Sequence, residues 1–463
     1  MVLKKYIGDR AFYSKVFSIT IPILVQNVIT NFVSLIDNIM VGRLGTEPMS
    51  GVAIVNQLLF IFNLCIFGGI SGAGIFTAQY YGKGDQEGIR HTFRIKMVIA
   101  VGVTLLFTLA FALFGPALIN QFLHEGKENL DLAATLSHGK SYLTVMLFGL
   151  LPFAVSQTYA GTLKETGETV LPMKAGIAAV VVNFCLNYVL IFGKFGAPKL
   201  GVTGAAIATV ISRIVECLIV IIWTHRHSEK NPFIVGVYRS FRVPSALVWA
   251  VVRKGLPLMV NEVLWSIGMT MLTQCYSTRG LEAISATNIS STVSNLFFCA
   301  FFAFGNAISI IVGHLLGSGD LKRAKDEDSK LIFCAVVICF FVGGVMAACA
   351  PFIPRIYNTT DLVKQLATQF LLVSSALMPF NAFTHAAYFT LRSGGQTVVT
   401  FLFDSCFIWA INIPLAFCLS RFTSIAIFPL YLAVSCIDVI KCFVGYVLIK
   451  KGVWLRNLVG EKA

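Results

Sequence analysis

Acidic side chains inside long apolar stretches are the residues of this sequence best suited to do chemistry. An ionised carboxylate in apolar surroundings is costly, so each one requires a partner, a bound cation or a proton. Five such acids occur, namely Asp37, Glu216, Glu262, Asp404 and Asp438.

Two of these acids have a basic residue nearby in the sequence. Glu216 follows Arg213 by three residues, and Asp438 precedes Lys441 by three. Residues three apart are neighbours on a helix surface, so we expect an ion pair at each of these places. The acids without such a local partner are Asp37, Glu262 and Asp404.

Asp37 ends a stripe of polar residues at helical spacing, formed by Gln26, Thr30 and Ser34. Later in the chain Asn183 and Asn187 are four residues apart and therefore share a helix face, and Thr209 lies in the following apolar stretch. One carboxylate with neutral amide and hydroxyl oxygens suits a small monovalent cation. A desolvated carboxylate also retains a proton more readily. The alternative is that these groups only join helices by hydrogen bonds.

The second half of the chain offers a different set of polar residues. Glu262 shares one helix face with Ser266, and Asp404 precedes Trp409 by five residues. Either acid could attract a cationic substrate, or could reach the edge of the apolar region.

The composition shows what must position these residues. The chain has 463 residues, of which 56% are apolar and 13% charged, with a mean hydropathy of +0.79. Soluble domains carry about 25% charged residues, so most of this surface faces lipid. The net charge of +14 is scattered over short loops rather than gathered in one patch. We therefore expect a membrane protein with no nucleic-acid partner.

Twelve stretches are long and apolar enough to cross a bilayer as helices, which requires about 20 residues each. We therefore predict an all-α polytopic membrane protein. The stretches lie near 16–41, 51–78, 95–118, 141–162, 170–193, 201–223, 247–275, 284–316, 330–353, 367–391, 397–419 and 424–449.

Basic residues predict the orientation. The two tails, the even-numbered loops and the span ends beside them hold 25 Lys and Arg residues, against 9 in the odd-numbered loops. Cytoplasmic loops carry the excess of Lys and Arg, so we expect a multi-pass protein of the cell (plasma or inner) membrane with both termini in the cytoplasm.

The two halves of the sequence repeat each other. At an offset of 235 residues Pro22 falls on Pro257, and Gly82-Lys83-Gly84-Asp85 falls on Gly317-Ser318-Gly319-Asp320. Such repeats are typical of secondary transporters. We predict two six-helix lobes, 1–223 and 247–463, related by a pseudo-twofold axis and joined by a cytoplasmic connector at 224–246.

The sequence lacks the motifs that would indicate an ATPase or a membrane-embedded enzyme. The sequence has no phosphate-binding GxxxxGK[ST] loop, no HExxH motif and no His–acid pair at suitable spacing. We therefore expect that the protein is not an enzyme and has no cofactor. We expect an ion gradient to supply the energy.

Short segments along the whole chain resemble the multidrug and toxic compound extrusion (MATE) family, and their order along twelve spans makes the match specific. They are Ile21-Pro22-Ile23, Ile36-Asp37-Asn38-Ile39-Met40-Val41-Gly42, Gln79-Tyr80-Tyr81-Gly82-Lys83-Gly84-Asp85, Asn183-x3-Asn187, Gly201-Val202-Thr203-Gly204-Ala205-Ala206, Leu391-Arg392-Ser393-Gly394-Gly395, and Trp409 through Pro414.

This resemblance implies two lobes around a central cleft, and export of amphipathic, often cationic compounds in exchange for Na⁺ or H⁺ by alternating access. It implies a cation-coupling site at Asp37, Asn183, Asn187 and Thr209, which would be a metal site only if Na⁺ is the coupling ion. Gln26, Thr30, Glu262, Asn381 and Asp404 are candidates for substrate binding. Some members carry a second acid where Asn187 stands, so the charge of this site differs from theirs. Other members carry an Asp on span 10, where this chain has Asn381, so a cation site in the second lobe is less well supported.

The main alternative among transporters is a flippase for lipid-linked precursors. As the resemblance implies, such relatives carry additional spans and a more basic cavity, so we favour the exporter. A monomer in the lipid bilayer, acting on small amphipathic molecules, would suffice.

Overall fold

The computed structural model describes residues 6–122, 131–357 and 359–460. The side chains of residues 33–35 and 281 also lie outside the description. The prediction for Ser34 therefore falls outside the described residues.

The described residues form an all-helical protein without strands, and twelve of the helices are long and apolar enough to span a membrane. The predicted fold class and number of spans are confirmed. The helices are α1 Arg10–Gly42, α2 Thr46–Lys83, α3 Gln86–Asn120, α4 Leu132–Glu165, α5 Val170–Phe192, α6 Val202–Arg226, α7 Ser245–Ser277, α8 Leu281–Ser318, α9 Leu321–Cys349, α10 Asp361–Ser393, α11 Thr397–Phe422 and α12 Ile427–Lys451. Short 3-10 turns occupy Pro232–Ile234 and Ile353–Ile356.

The chain divides into two compact units. We call Val25–Thr77 with Asp85–Val251 the N-terminal unit, and the residues up to Leu24, Ala78–Gly84 and Val252 onward the C-terminal unit. The N-terminal unit has a core around Phe62 and Leu150 on α2 and α4. The lobe boundaries at 223 and 247 come from the sequence repeat and stay a prediction.

The repeated Gly-x-Gly-Asp motif starts α3 and α9. Gly84 and Gly319 adopt φ of +78° and +82°, which favours glycine. The carboxylate of Asp85 accepts a hydrogen bond from the Gly88 amide at 2.9 Å, and Asp320 accepts one from the Arg323 amide at 3.0 Å. These are N-terminal helix caps, so both aspartates have a structural role.

The first glycine of each motif allows a close helix crossing inside the C-terminal unit. A Cβ on Gly82 would overlap the carbonyl oxygen of His314, and a Cβ on Gly317 would overlap the carbonyl oxygen of Gln79. Gln79 and His314 are themselves 235 residues apart. The contacts are therefore reciprocal, as expected for two copies of one repeat.

Helix α11 is wound more loosely than the others. Leu402–Cys406 and Ile408–Asn412 are π-helical, and the α-helix resumes at Ile413. Such turns often occur at functional sites. The Ser405 hydroxyl and the Trp409 indole N–H donate to carbonyl oxygens of α7, at Asn261 (2.8 Å) and Leu264 (3.0 Å). These bonds fix the side of α11 that carries Asp404.

Candidate cation and substrate sites

The structure brings together the four side chains predicted to bind the coupling cation, all within the N-terminal unit. Asn187 Nδ2 on α5 donates to Asp37 Oδ1 on α1 at 2.7 Å, and also to Asn183 Oδ1 at 3.0 Å. Asn183 Nδ2 donates to Thr209 Oγ1 on α6 at 3.3 Å. Three helices therefore meet at one carboxylate.

The amide orientations at this cluster leave an excess of acceptors. The Asn183 side-chain oxygen lies 2.9 and 3.1 Å from the two Asp37 oxygens, and turning the amide over would let its nitrogen donate to both. That turn would bring the Asn183 nitrogen against the nitrogen of Asn187, at 3.0 Å. Asn187 Oδ1 is also buried without a hydrogen-bond donor. An acceptor-rich set of this kind fits a bound cation or a proton on Asp37.

Close packing of α5 against α6 positions Thr209. Gly204 allows this approach, because a Cβ there would lie 2.7 Å from the carbonyl oxygen of Leu190. The Thr209 hydroxyl donates to the carbonyl oxygen of Ala205 at 3.0 Å, one turn back on its own helix. Its oxygen then accepts the hydrogen bond from Asn183.

A cavity of about 330 Å³ opens beside Asp37 within the N-terminal unit. The polar residues that line it are Asp37, Asn38, Asn56, Asn63, Tyr142, Asn187, Thr209 and Arg213. Sequence reasoning missed Asn56, Asn63 and Tyr142 as members of this site. The seven-residue spacing of Asn56 and Asn63 places both on one face of α2 and was the available signal.

Gln26 and Thr30 belong to the same unit but do not line this cavity. The Gln26 side chain lies beside Gly176 of α5. The Thr30 hydroxyl donates to the carbonyl oxygen of Gln26 at 2.8 Å. Their role in substrate binding stays a prediction.

Asp404 lies in the C-terminal unit and has a basic partner on another helix. Lys441 Nζ on α12 lies 2.6 Å from Asp404 Oδ1, and Asn261 Nδ2 on α7 donates to Asp404 Oδ2 at 3.1 Å. The ion pair predicted between Asp438 and Lys441 is therefore wrong at close range, although the two attract each other electrostatically. Asp438 instead accepts a hydrogen bond from Asn412 Nδ2 at 3.0 Å.

The ion pair predicted between Arg213 and Glu216 is also wrong at close range. The two attract each other electrostatically, but they do not appear among the ion pairs within 4.0 Å in the described part of the chain. The Arg213 guanidinium lies over the Phe153 ring, 4.9 Å from its centroid. Glu216 also interacts with Lys164. Each of these residues thus also has a partner on α4.

The other two predicted substrate residues belong to the C-terminal unit. Glu262 accepts a hydrogen bond from Tyr388 and lies within electrostatic range of Arg392. Asn381 is half-buried on α10, and its backbone carbonyl accepts a hydrogen bond from the Thr384 hydroxyl at 3.0 Å.

Twelve helices able to span a membrane, with a half-buried acid beside a polar cavity, are the features of a membrane transporter. The MatE family model matches residues 22–189 and again 257–418. The two matches begin 235 residues apart, the offset of the internal repeat. They cover more than half of the sequence, so the chain belongs to the MATE family of multidrug efflux transporters.

Curated relatives and solved structures agree with this family. The chain is 23% identical to the probable multidrug resistance protein NorM of Thermotoga maritima, over 96% of this chain and 94% of that protein. It is 26% identical to the probable multidrug resistance protein YoeA of Bacillus subtilis, over 88% and 87%. An outward-facing multidrug resistance MATE transporter has the same fold, with a TM-score of 0.86 at 17% identity over 97% of each chain. A mutant of the Vibrio cholerae MATE transporter VcmN gives a TM-score of 0.87 at 16% identity, over 97% and 99%.

Proposed function

We propose that this protein is a secondary antiporter that exports amphipathic, often cationic compounds in exchange for Na⁺ or H⁺. The observation that carries the proposal is the Asp37 carboxylate. It faces the side-chain oxygen of Asn183 beside a cavity, and among the described residues it has no basic side chain within 4.0 Å.

Asp37 would bind the coupling ion, and its neighbours would hold it in place. A proton on Asp37 turns the contact with the Asn183 oxygen into a hydrogen bond. A Na⁺ ion would instead bind both the Asp37 carboxylate and the Asn183 oxygen. Thr209 Oγ1 and Asn187 Oδ1 are further ligands within the cluster. A substrate that competes for Asp37 displaces the ion, which couples the two flows.

The substrate-binding candidates of the C-terminal unit are not equivalent. Asp404 already has the Lys441 ammonium at 2.6 Å and the Asn261 amide at 3.1 Å. Glu262 has a hydroxyl partner and a more distant guanidinium. Glu262 is therefore the better candidate for attracting a cationic substrate, because no ammonium has to leave first.

The protein would act as a monomer in the cell membrane with both termini in the cytoplasm. The excess of basic residues in the tails and even-numbered loops supports this orientation. The flippase alternative has less support, because the curated relatives named above are multidrug resistance proteins.

Dye efflux from proteoliposomes tests the proposal. An imposed Na⁺ gradient is compared with an imposed pH gradient, using a panel of cationic dyes loaded inside. One gradient should drive efflux, and Asp37→Asn should reduce that efflux at least tenfold. The substitution keeps the shape of the side chain and removes the charge that binds the ion.

Asp361→Asn is the matched control. It removes the same charge from an exposed carboxylate at the start of α10, 3.7 Å from Lys364. It should leave efflux unchanged. Gradient-driven efflux that persists in Asp37→Asn, or an absence of efflux under both gradients, would contradict the proposal.

A further inference from the structure

The cavity beside Asp37 also contains a permanent positive charge. Arg213 lines it, and is the twelfth of the 25 residues of α6, near the middle of the span. A guanidinium at this depth is costly in a bilayer, and such residues mark functional sites by default. Arg213 is not one of the residues to which the family resemblance assigned a role.

Among the described residues, the close contacts of this guanidinium come from α4. The Phe153 ring supports it at 4.9 Å, and Nη1 donates to the Gly149 carbonyl oxygen at 3.5 Å, the outer limit of a hydrogen bond. A guanidinium has five N–H donors. The contacts with described residues therefore leave most of the N–H donors of Arg213 available to a ligand in the cavity.

The charges around Arg213 do not cancel. Lys96 pairs with Glu165, Lys164 interacts with both Glu165 and Glu216, and Glu216 interacts with Arg213. This chain of neighbours contains three basic and two acidic residues. By formal charge one positive charge remains, and Arg213 is the member of the chain that lines the cavity.

The negative charge in the cavity is near Tyr142. That residue is within electrostatic range of both Arg213 and Asp37. Asp37 is the one acid among the residues that line the cavity in the described part of the chain. The cavity is therefore lined by one positive and one negative group, together with an aromatic ring and amide side chains.

We propose that Arg213 binds the carboxylate of a zwitterionic amphipathic substrate, whose cationic group takes the place of the coupling ion at Asp37. The inference rests on the proposed function and defines one substrate class for it. A planar guanidinium matches a carboxylate with two parallel hydrogen bonds, which an ammonium cannot do. A cavity of about 330 Å³ lies at the small end of ligand pockets and suits a compound of a few rings.

Two dyes that differ only at the carboxylate test this assignment. Unsubstituted rhodamine carries a free carboxylate and a delocalised cation, and its methyl ester keeps only the cation. Fluorescence anisotropy gives the Kd of each dye for the purified protein in detergent without any ion gradient. Arg213→Gln should raise the Kd of the free acid roughly 10- to 100-fold, as expected for losing charge-assisted hydrogen bonds.

The ester should bind Arg213→Gln as well as the parent protein or better, because the repulsion between two cations is removed. Arg213→Lys keeps the charge without the planar fork and should give an intermediate Kd for the acid. The control is Arg355→Gln, which changes an exposed arginine that also lies over a phenylalanine ring, at 5.9 Å. It should change neither Kd.

An equal loss of affinity for both dyes in Arg213→Gln would overturn the inference, since that result indicates a structural role. A failure of the parent protein to bind the free acid would overturn it as well. Binding without a gradient is independent of coupling. A protein that distinguishes the dyes through Arg213, but in which neither gradient drives efflux, would refute the antiport proposal alone.

Discussion

Asp404 and Lys441 form a buried ion pair in the C-terminal unit, and the side chains are only 18% and 12% exposed. The ammonium also lies 5.2 Å from the centroid of the Phe403 ring. Toward the end of each half the offset between the repeats shortens from 235 to 225, which places Asn187 on Asn412. At this offset Arg213 falls on Asp438 and Glu216 falls on Lys441. The acidic and basic positions are therefore exchanged between α6 and α12.

Breaking this pair should be more harmful than removing it. Asp404→Asn or Lys441→Met alone leaves one charge buried without its partner, and should each destabilise the protein by about 3–5 kcal/mol. The double variant should recover a large part of that loss. Thermal unfolding of the four proteins in detergent measures the interaction as a double-mutant cycle.

The exposed pair Asp361 and Lys364 provides the control cycle, since its atoms are 3.7 Å apart and the aspartate is fully exposed. That cycle should show no measurable coupling. Additive losses at Asp404 and Lys441 would contradict a strong buried pair.

The residues around Asp37 show how far sequence reasoning reaches. The spacing of Asn183 and Asn187 places them on one face, but spacing along a chain cannot show that α1 and α6 bring Asp37 and Thr209 to that face. The family motif supplied that information. Tyr142 was missed because a cavity is a tertiary feature. The two same-helix ion pairs were wrong for the same reason, since closer partners come from neighbouring helices.

At the scale of helices, the predicted spans are confirmed and the helix ends differ. The apolar run near 330–353 predicts the ninth span, whereas α9 begins at Leu321, because Asp320 caps a polar first turn. Apolar runs indicate which part of a helix lies in lipid, whereas capping residues indicate where the helix begins. The π-helical turns of α11 at Leu402–Cys406 and Ile408–Asn412 were not predicted, because we recognised no periodicity in the sequence that indicates them.

The crossing of α2 and α8 depends on glycine. Gly82→Ala and Gly317→Ala each place a methyl group against a backbone carbonyl, which cannot move aside as a flexible side chain can. Overpacking of this kind costs about 1–3 kcal/mol. We expect each variant to lower the midpoint of thermal unfolding in detergent.

Gly102→Ala is the matched control for this crossing. Gly102 lies in the middle of α3, and a Cβ there would meet nothing within 4 Å. Alanine should be neutral or stabilising by up to about 1 kcal/mol, since it is the better helix former. If all three variants unfolded at the same temperature, the close crossing would not contribute to stability.

The charge balance of the whole transport cycle follows from the number of acids in the cavity. Asp37 is the single acid among the described lining residues, so on the proposed antiport we expect one coupling cation to enter for each substrate that leaves. Exchange for a monovalent cation moves no net charge, so only the ion gradient drives it, and a tenfold gradient is worth about 1.4 kcal/mol. Exchange for a zwitterion moves one charge, to which about 100 mV adds about 2.3 kcal/mol.

Membrane voltage should therefore distinguish the two substrate classes. In proteoliposomes with a fixed ion gradient, an interior potential of about −100 mV should raise the attainable gradient of the zwitterionic rhodamine roughly 40-fold, from the same 2.3 kcal/mol. The methyl ester, exported as a monovalent cation, should show no such gain. A potassium gradient with valinomycin sets the voltage, and Asp37→Asn should abolish the response. A voltage gain for the methyl ester as well would mean that more than one cation enters per cycle, and that a second acid besides Asp37 carries it.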